Sequence, residues 1–277
     1  MTKVQQESEG RGRTALVTGA SAGIGKVFAE FLAEKGFDIV LTARREERLN
    51  TLAQEISSLH SVRTEVIVTD LADPKAPQNI YDALSEKNIS IDVLVNNAGY
   101  SISASFSDAS LQAQLDLIQV MATSVVQLCH LLLPNMKKNR YGRIINVSSI
   151  AAFLPPAPGK LYTGIKSFVM DFSIALSLEL EGTGVFSTAL CPGFTHSEFH
   201  DAMGVRAQVN KIPSFMWMET KTVVKQGYYA AMKGEKVYIN GKINRFLSIV
   251  FRLLPNKFKY KATRNQSLTQ KPKTNSD

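Results

Sequence analysis

TALVTGASAGIGKVFAEFLAEKGFDIVLTARR, residues 14–45, decides the fold. Ala15 to Thr18 is a short apolar run closed by Gly19, the pattern of a buried strand in a parallel sheet. The glycine-rich turn Gly19-Ala20-Ser21-Ala22-Gly23-Ile24-Gly25 follows, and Val27, Phe28, Phe31 and Leu32 then fall at helical spacing. Phe37 to Thr42 is a second strand. Strand, turn, helix and strand together form one βαβ unit of about thirty residues. Glycines let a backbone approach a pyrophosphate, and the helix start offers free N–H groups and a partial positive charge.

Two phosphate-binding patterns compete for this turn. A P-loop needs G-x-x-x-x-G-K-[ST]; here Gly19 lies one residue too far from Gly25, and Val27 stands where a magnesium-binding hydroxyl is required. A dinucleotide turn remains, in the spacing G-x-x-x-G-x-G. At the end of the second strand an NAD site places an acidic residue for the ribose 2′-hydroxyl. This chain has Arg44 and Arg45, followed by Glu46 and Glu47. An arginine pairs with a 2′-phosphate that a carboxylate would repel, so Arg44 favours NADP(H) over NAD(H). Arg45 reads equally as part of a solvated face with the two glutamates.

Further along, residues 47–60 read as a helix and 63–69 as a strand ending at Thr69-Asp70-Leu71, where Asp70 is placed either to meet an adenine amino group or to cap a helix. Helix 74–87 leads to the apolar strand IDVLVNNAG, 91–99, which breaks at Asn96-Asn97-Ala98-Gly99. A long helix is expected over 108–138. The strand Arg143–Val147 then delivers Ser148 and Ser149 to the carboxyl edge of the sheet, where open parallel sheets bind ligands. A helix over 161–180 carries Tyr162 and Lys166, four apart and so on one face. A lysine ammonium one turn away favours a phenolate and is expected to lower the tyrosine pKa from its ordinary value of about 10. A serine hydroxyl facing them would hold a substrate oxygen. By itself Y-x-x-x-K is a common pattern in structural helices; its neighbours decide its meaning. Strand 184–190 ends in Pro192-Gly193-Phe194-Thr195, helix 223–233 follows, and Lys236–Asn240 reads as the last strand.

TGASAGIG at 18–25, NNAG at 96–99, Ser149, YTGIK at 162–166 and PGFT at 192–195 stand in an order and spacing that resembles the short-chain dehydrogenase/reductase family, over roughly residues 12–241. The resemblance implies an α/β fold: a single-domain, Rossmann-like, doubly wound parallel sheet of about seven strands with helices on both faces. It implies hydride transfer between a nicotinamide and a carbonyl or alcohol carbon, with Tyr162 as acid/base and Ser149 on the substrate oxygen. Lys166 would hold the nicotinamide ribose. Gly19, Ser21, Gly23, Ile24 and Gly25 would line the pyrophosphate. Asp70, Leu71, Asn97, Ala98 and Gly99 would surround the adenosine, and Pro192, Gly193 and Thr195 would border the carboxamide. One position departs: where the family usually has an asparagine that helps hold a proton-relay water behind the lysine, this chain has Met121. A water there would need another partner, such as Thr123 or a backbone carbonyl.

The chain has 277 residues, of which 44% are apolar, ample for one large α/β domain. Its only cysteines, Cys129 and Cys191, sit far apart in apolar runs and read as buried free thiols of a reducing, cytoplasmic compartment. The polar start, residues 1–12, reads as a flexible tail without a secretory leader. No run approaches the ~18 apolar residues of a membrane span. The net charge of +8 is uneven: from Lys233 onward eleven Lys or Arg face Glu235 and Asp277, leaving residues 1–232 nearly neutral. The domain at 13–241 is therefore not expected to bind nucleic acid. No metal site is expected.

The stretch after the PG motif, about 194–220, reads as a substrate lid. Phe194, Phe199, Met203, Phe215, Met216, Trp217 and Met218 point either to a hydrophobic, acyl- or lipid-like substrate or to packing of the lid on its own domain. Residues 242–277 form a basic amphipathic helix and a polar tail. Within Ile243–Leu254, Asn244, Arg245, Ser248 and Arg252 make one narrow polar stripe, and NKFKYKATR follows. Three roles fit 243–264: packing on the domain or a partner, covering an acyl pocket, or peripheral contact with an anionic membrane. Helix 161–180 is apolar nearly all round, which fits a homodimer or homotetramer. The alternative to an enzyme is a nucleotide-binding or membrane-associated protein of the same fold with little turnover.

Overall fold

The computed structural model describes residues 9–156, 159–198 and 212–264. β1 (Thr14–Thr18) is buried along nearly its whole length and pairs in parallel with β2 (Asp38–Ala43) on one side and β4 (Val93–Asn96) on the other. Its residues alternate between two cores. Ala15 and Val17 belong to one, Leu16 to the other, each without measurable exposure. β3 (Thr64–Val68), β5 (Gly142–Val147), β6 (Val185–Cys191) and β9 (Val237–Ile239) complete a seven-stranded parallel sheet in the order β3-β2-β1-β4-β5-β6-β9. The order reverses at β1, so a crevice opens beyond the carboxyl ends of β1 and β4. Glycine turn, NNAG and Ser149 all follow strands that end there.

Helices cover both faces, as period-3.6 apolar patterns between buried strands require. α1 (Gly23–Glu34) and α2 (Glu46–His60) fill the first core together with α7 (Thr220–Met232); Phe31, Phe37 and Tyr228 meet there edge to face. α3 (Ala76–Glu86), α4 (Leu111–Ile118), α5 (Ser124–Lys138) and α6 (Leu161–Glu179) cover the other face. The single helix expected over 108–138 is instead α4 and α5 joined by a π-helical turn, Gln119–Thr123, with Met121 at its middle. The Leu111–Lys138 stretch and α6 have the length and composition of membrane spans, yet both lie against the sheet as core helices.

Residues 9–12 are docked, contrary to the expectation of a flexible tail. Gly10 N–H donates to Lys35 O (2.9 Å) and Tyr228 O–H to Glu9 Oε2 (2.6 Å). Residues 1–8 of that expected tail lie outside the described residues. Beyond β9 come α8 (Lys242–Leu253) and α9 (Asn256–Arg264). A two-stranded parallel pair, β7 (Phe194–Thr195) and β8 (Trp217–Met218), ties together the two ends of the expected lid; Phe199 and Met203 lie outside the described residues.

Candidate active site

Ser149 leaves β5 in an extended conformation and caps the 3-10 turn Ile150–Phe153, its Oγ accepting from Ala151 N–H (3.1 Å). The Ser149 hydroxyl neighbours the Tyr162 phenol and favours its ionised form. Lys166, one turn along α6, is 6% exposed; its Nζ donates to Val147 O at 2.7 Å and stands 5.7 Å from the centre of the Tyr162 ring. The three residues singled out in the sequence thus converge at the carboxyl end of β5. Their electrostatics differ from expectation. Burial pushes the Tyr162 phenol up to about 12, against the effect of the Ser149 hydroxyl, and burial brings the Lys166 amine down to about 8. Desolvation disfavours the charged form of each group, and here it outweighs any help from lysine to tyrosine.

The partner behind Lys166 is also resolved. Met121 is 2% exposed and packs in the second core, its side chain in van der Waals range of the place a Cβ on Gly99 would take (3.4 Å). Thr123 is exposed. The Lys166 amine itself is taken by the Val147 carbonyl.

The glycine turn fits a dinucleotide. Gly19 and Gly23 have φ of 66° and 55°, which side-chain-bearing residues rarely adopt. A Cβ on Gly25 would run into the Gly19 carbonyl. Ala22 provides no side-chain cap and no acid occupies the first turn of α1, so the N–H groups of Gly23, Ile24 and Gly25 have no helical partner and suit a pyrophosphate.

Around this turn the structure redistributes roles. Asn97 Nδ2 donates to Thr18 O (2.9 Å), while Thr18 Oγ1 accepts from Asn97 N–H (2.9 Å) and Ala98 N–H (3.0 Å). Asn97 and Ala98 therefore brace the glycine turn rather than simply facing adenosine. Leu71, expected beside the adenine, is 6% exposed and packs in the second core, leaving only its backbone for a ligand. Asp70 accepts from Ala72 N–H (3.0 Å) in the turn that precedes α3, whose N-cap is Lys75, and its other oxygen lies 3.6 Å from Arg44 Nη1. Arg44 is exposed beyond β2. Arg45 reaches back across the turn, donating to Ser21 Oγ from Nε (3.1 Å) and Nη2 (2.9 Å). Sequence reasoning placed the cofactor contact on Arg44 and left Arg45 undecided; both stand at the carboxyl edge of β2, and Arg45 is the one that touches the phosphate turn.

On the nicotinamide side, Thr195 is buried and donates to Gly193 O (3.1 Å), and Pro192 O accepts from Ile150 N–H (2.8 Å), tying the PG turn to the segment after Ser149. Asn244 of α8 abuts Gly193 so closely that no Cβ could stand there. Ser197 crosses over Gly23, and Glu198 binds Arg48 (2.8 Å) and Arg45 (3.5 Å).

Several contributors carried no recognisable signal in the sequence. Ser148 Oγ donates to Lys166 O (2.7 Å) and so pins α6 to β5. A buried chain, Asn96 Nδ2 to Asn146 Oδ1 (2.8 Å) and Asn146 Nδ2 to Ser173 Oγ (2.9 Å), sets α6 against β4 and β5. Lys160 Nζ donates to Ile102 O (3.0 Å) and Ser103 O (2.7 Å), folding the loop after NNAG onto the start of α6. Its acceptors are carbonyls 58 and 57 residues away, which no local pattern reveals.

Residues 13–206 match the family model described as short chain dehydrogenase. The chain is 36% identical over 186 residues to sulfoacetaldehyde reductase 2 of Chromohalobacter salexigens, covering 66% of this chain and 73% of that protein. It is 33% identical over 253 residues to the very-long-chain 3-oxoacyl-CoA reductase of Anas platyrhynchos, covering 89% and 77%. A solved short-chain dehydrogenase from Sphingobium yanoikuyae in complex with NADPH superposes with a TM-score of 0.77 at 28% identity, over 96% of this chain and 98% of that one. Matches of this extent show the family directly: the chain belongs to the short-chain dehydrogenases and is an NAD(P)-dependent oxidoreductase acting on the CH–OH group.

Proposed function

We propose that this protein is an NADP(H)-dependent reductase of a hydrophobic ketone, with Ser149, Tyr162 and Lys166 as its catalytic residues. The carrying observation is the convergence of Ser149 and Tyr162 at the sheet's carboxyl edge, with the Lys166 amine 5.7 Å from the centre of the tyrosine ring. The nicotinamide supplies or accepts the hydride. Tyr162 gives its proton to the substrate oxygen, and a phenol held near 12 stays protonated at neutral pH, which suits reduction. Ser149 holds the same oxygen by a hydrogen bond. Lys166 keeps an ammonium within reach of the ribose and of the tyrosine ring. Arg45 and Arg44 support a preference for the 2′-phosphate over the 2′-hydroxyl.

The apolar lid ends support a lipid-like substrate: Trp217 packs on Phe194 (ring centres 5.7 Å apart) and Phe215 is exposed. A 3-oxoacyl thioester is one such substrate, in keeping with the long-chain relative; the sulfoacetaldehyde relative keeps small polar aldehydes in the test panel. The buried free thiols of Cys129 and Cys191 support a reducing, cytoplasmic location. Leu111, Leu115 and Ile118 of α4, with Phe168 and Leu178 of α6, leave apolar side chains exposed and support a homodimer or homotetramer built on these helices.

Tyr162→Phe tests the mechanism. Ketone-dependent NADPH oxidation should fall by about a hundredfold or more while NADPH still binds; undiminished turnover would sink the assignment. Met121, apolar where the family places an amide, favours a second reading as a nucleotide-binding protein of low turnover. NADPH binding without oxidation across ketones graded by chain length would select that reading.

A further inference from the structure

α8 buries only part of its polar stripe: Asn244 and Ser248 are turned inward, each 5% exposed, while Arg245 and Arg252 stay exposed. Asn244 Nδ2 donates to Asn240 O (2.7 Å), Arg245 Nε donates to Ile239 O (2.8 Å), and the Arg245 guanidinium lies 4.7 Å over the Tyr238 ring. The other side of the helix faces away from the domain among the described residues. Phe246 is 65% exposed, Ile249 58% and Leu253 78%, spaced so as to share one face, and Phe258 of α9 is 60% exposed. A water-facing helix of a globular domain ordinarily carries the opposite arrangement. Leu247, Val250, Phe251 and Leu254 are half-buried, so α8 packs part of its apolar surface on the domain and leaves the Phe246, Ile249 and Leu253 face uncovered.

We propose that α8 and α9 dock the protein on an anionic lipid bilayer, apolar face down. Charge complementarity selects this occupant. Residues 242–264 contain seven Lys or Arg and no acid, so the docking segment is uniformly positive. A second copy seated face to face on the same surface would oppose like charge to like. An anionic leaflet attracts every one of these cations, while the aromatic and aliphatic residues enter the headgroup boundary. Lys242, Lys257 and Lys261 are exposed and available to lipid phosphates.

The placement also concerns the catalytic crevice. α8 contacts the 3-10 turn after Ser149, and Asn244 abuts Gly193, so docking sets the substrate side of the crevice one helix away from the lipid. That consequence rests on the reductase reading; the docking itself does not, and its test uses no turnover.

Full-length protein is mixed with vesicles of phosphatidylcholine alone and with vesicles of phosphatidylcholine containing phosphatidylglycerol, then floated on a density gradient. It should float with the phosphatidylglycerol vesicles and remain below with phosphatidylcholine alone. Phe246→Gln/Leu253→Gln, at exposed positions, should lower partitioning about tenfold or more while NADPH binding is unchanged. Lys257→Glu/Lys261→Glu should erase the preference for the anionic vesicles. Failure of the parent chain to float with anionic lipid would overturn the proposal, as would equal flotation of all variants. A dimer that becomes monomeric on Phe246→Gln/Leu253→Gln in lipid-free light scattering would assign the face to a second copy and overturn it too.

Discussion

Tyr162 and Lys166 depart from their ordinary pKa values in opposite directions for one reason: both are shut off from water. The tyrosine stays neutral until about pH 12, and the lysine holds its extra proton only to about pH 8. The sign for cofactor binding follows. An ammonium that donates to a ribose is lost as pH rises through the cofactor-free value, so NADPH affinity should be full at pH 7 and weaken above about 8, approaching tenfold per pH unit. Isothermal titration between pH 7 and 9.5 checks this, and Lys166→Met should flatten the profile. The arginines make a second residue-scale case. From sequence, Arg44 was the reader of the 2′-phosphate and Arg45 undecided. Because Arg45 spans the glycine turn, Arg45→Ala should raise the NADPH dissociation constant about tenfold with little change for NADH, and Arg44→Ala should do less. A larger effect at Arg44 would return the role to that residue. The spacing of Arg44 and Arg45 from β2 was legible, but which one turns inward depended on Ser21, twenty-four residues earlier in the chain.

At the scale of elements, strands and their ends were read well because most strands are short apolar runs, and β1, β4 and β5 stop at glycine, asparagine or serine. The π-helical turn at Gln119–Thr123 was not, since the 108–138 pattern stays apolar through it and only backbone geometry distinguishes one helix from two joined by a wider turn. The orientation of α8 was also invisible: of the stripe Asn244, Arg245, Ser248 and Arg252 only Asn244 and Ser248 are buried, and sequence periodicity does not say which face meets the domain. The segment from β7 to Glu198 offers an element-scale prediction. Its Glu198 carboxylate sits on Arg48 and Arg45, beside the place a 2′-phosphate would take, and those arginines hold it below the usual carboxylate range. Glu198→Gln should therefore lower the NADPH dissociation constant about two- to fivefold without affecting NADH, as expected for release of an exposed ion pair. Fluorescence titration with each nucleotide would measure the difference, and an equal change for both would remove Glu198 from the phosphate site.

Among the described residues of the whole molecule, two apolar surfaces that face outward differ in charge setting. The α4/α6 surface has Leu111, Leu115, Ile118, Phe168 and Leu178, with Phe168 stacked on Phe172 at 6.1 Å. It lies in the part of the chain that is nearly neutral, so a second copy meets no electrostatic penalty there. Light scattering should show a dimer or tetramer, and Leu115→Glu/Phe168→Glu should dissociate it, because each substitution would leave a buried unpaired carboxylate in the interface. Persistence of the oligomer in that variant would place the interface elsewhere. The α8/α9 surface carries only positive charge and is the one expected to meet lipid.

The sequence by itself determined the strand–turn–helix alternation, the doubly wound sheet, the glycine turn and the identities of Ser149, Tyr162 and Lys166, because each is written in local spacing or in motifs held in register. Tertiary structure alone decided how those groups are charged, which carbonyl takes the Lys166 amine, which arginine reaches the phosphate turn, and which way α8 faces. These depend on burial and on contacts between residues distant in the chain. A residue's type and spacing do not report whether water reaches it, and it is the removal of water that sets the chemistry here.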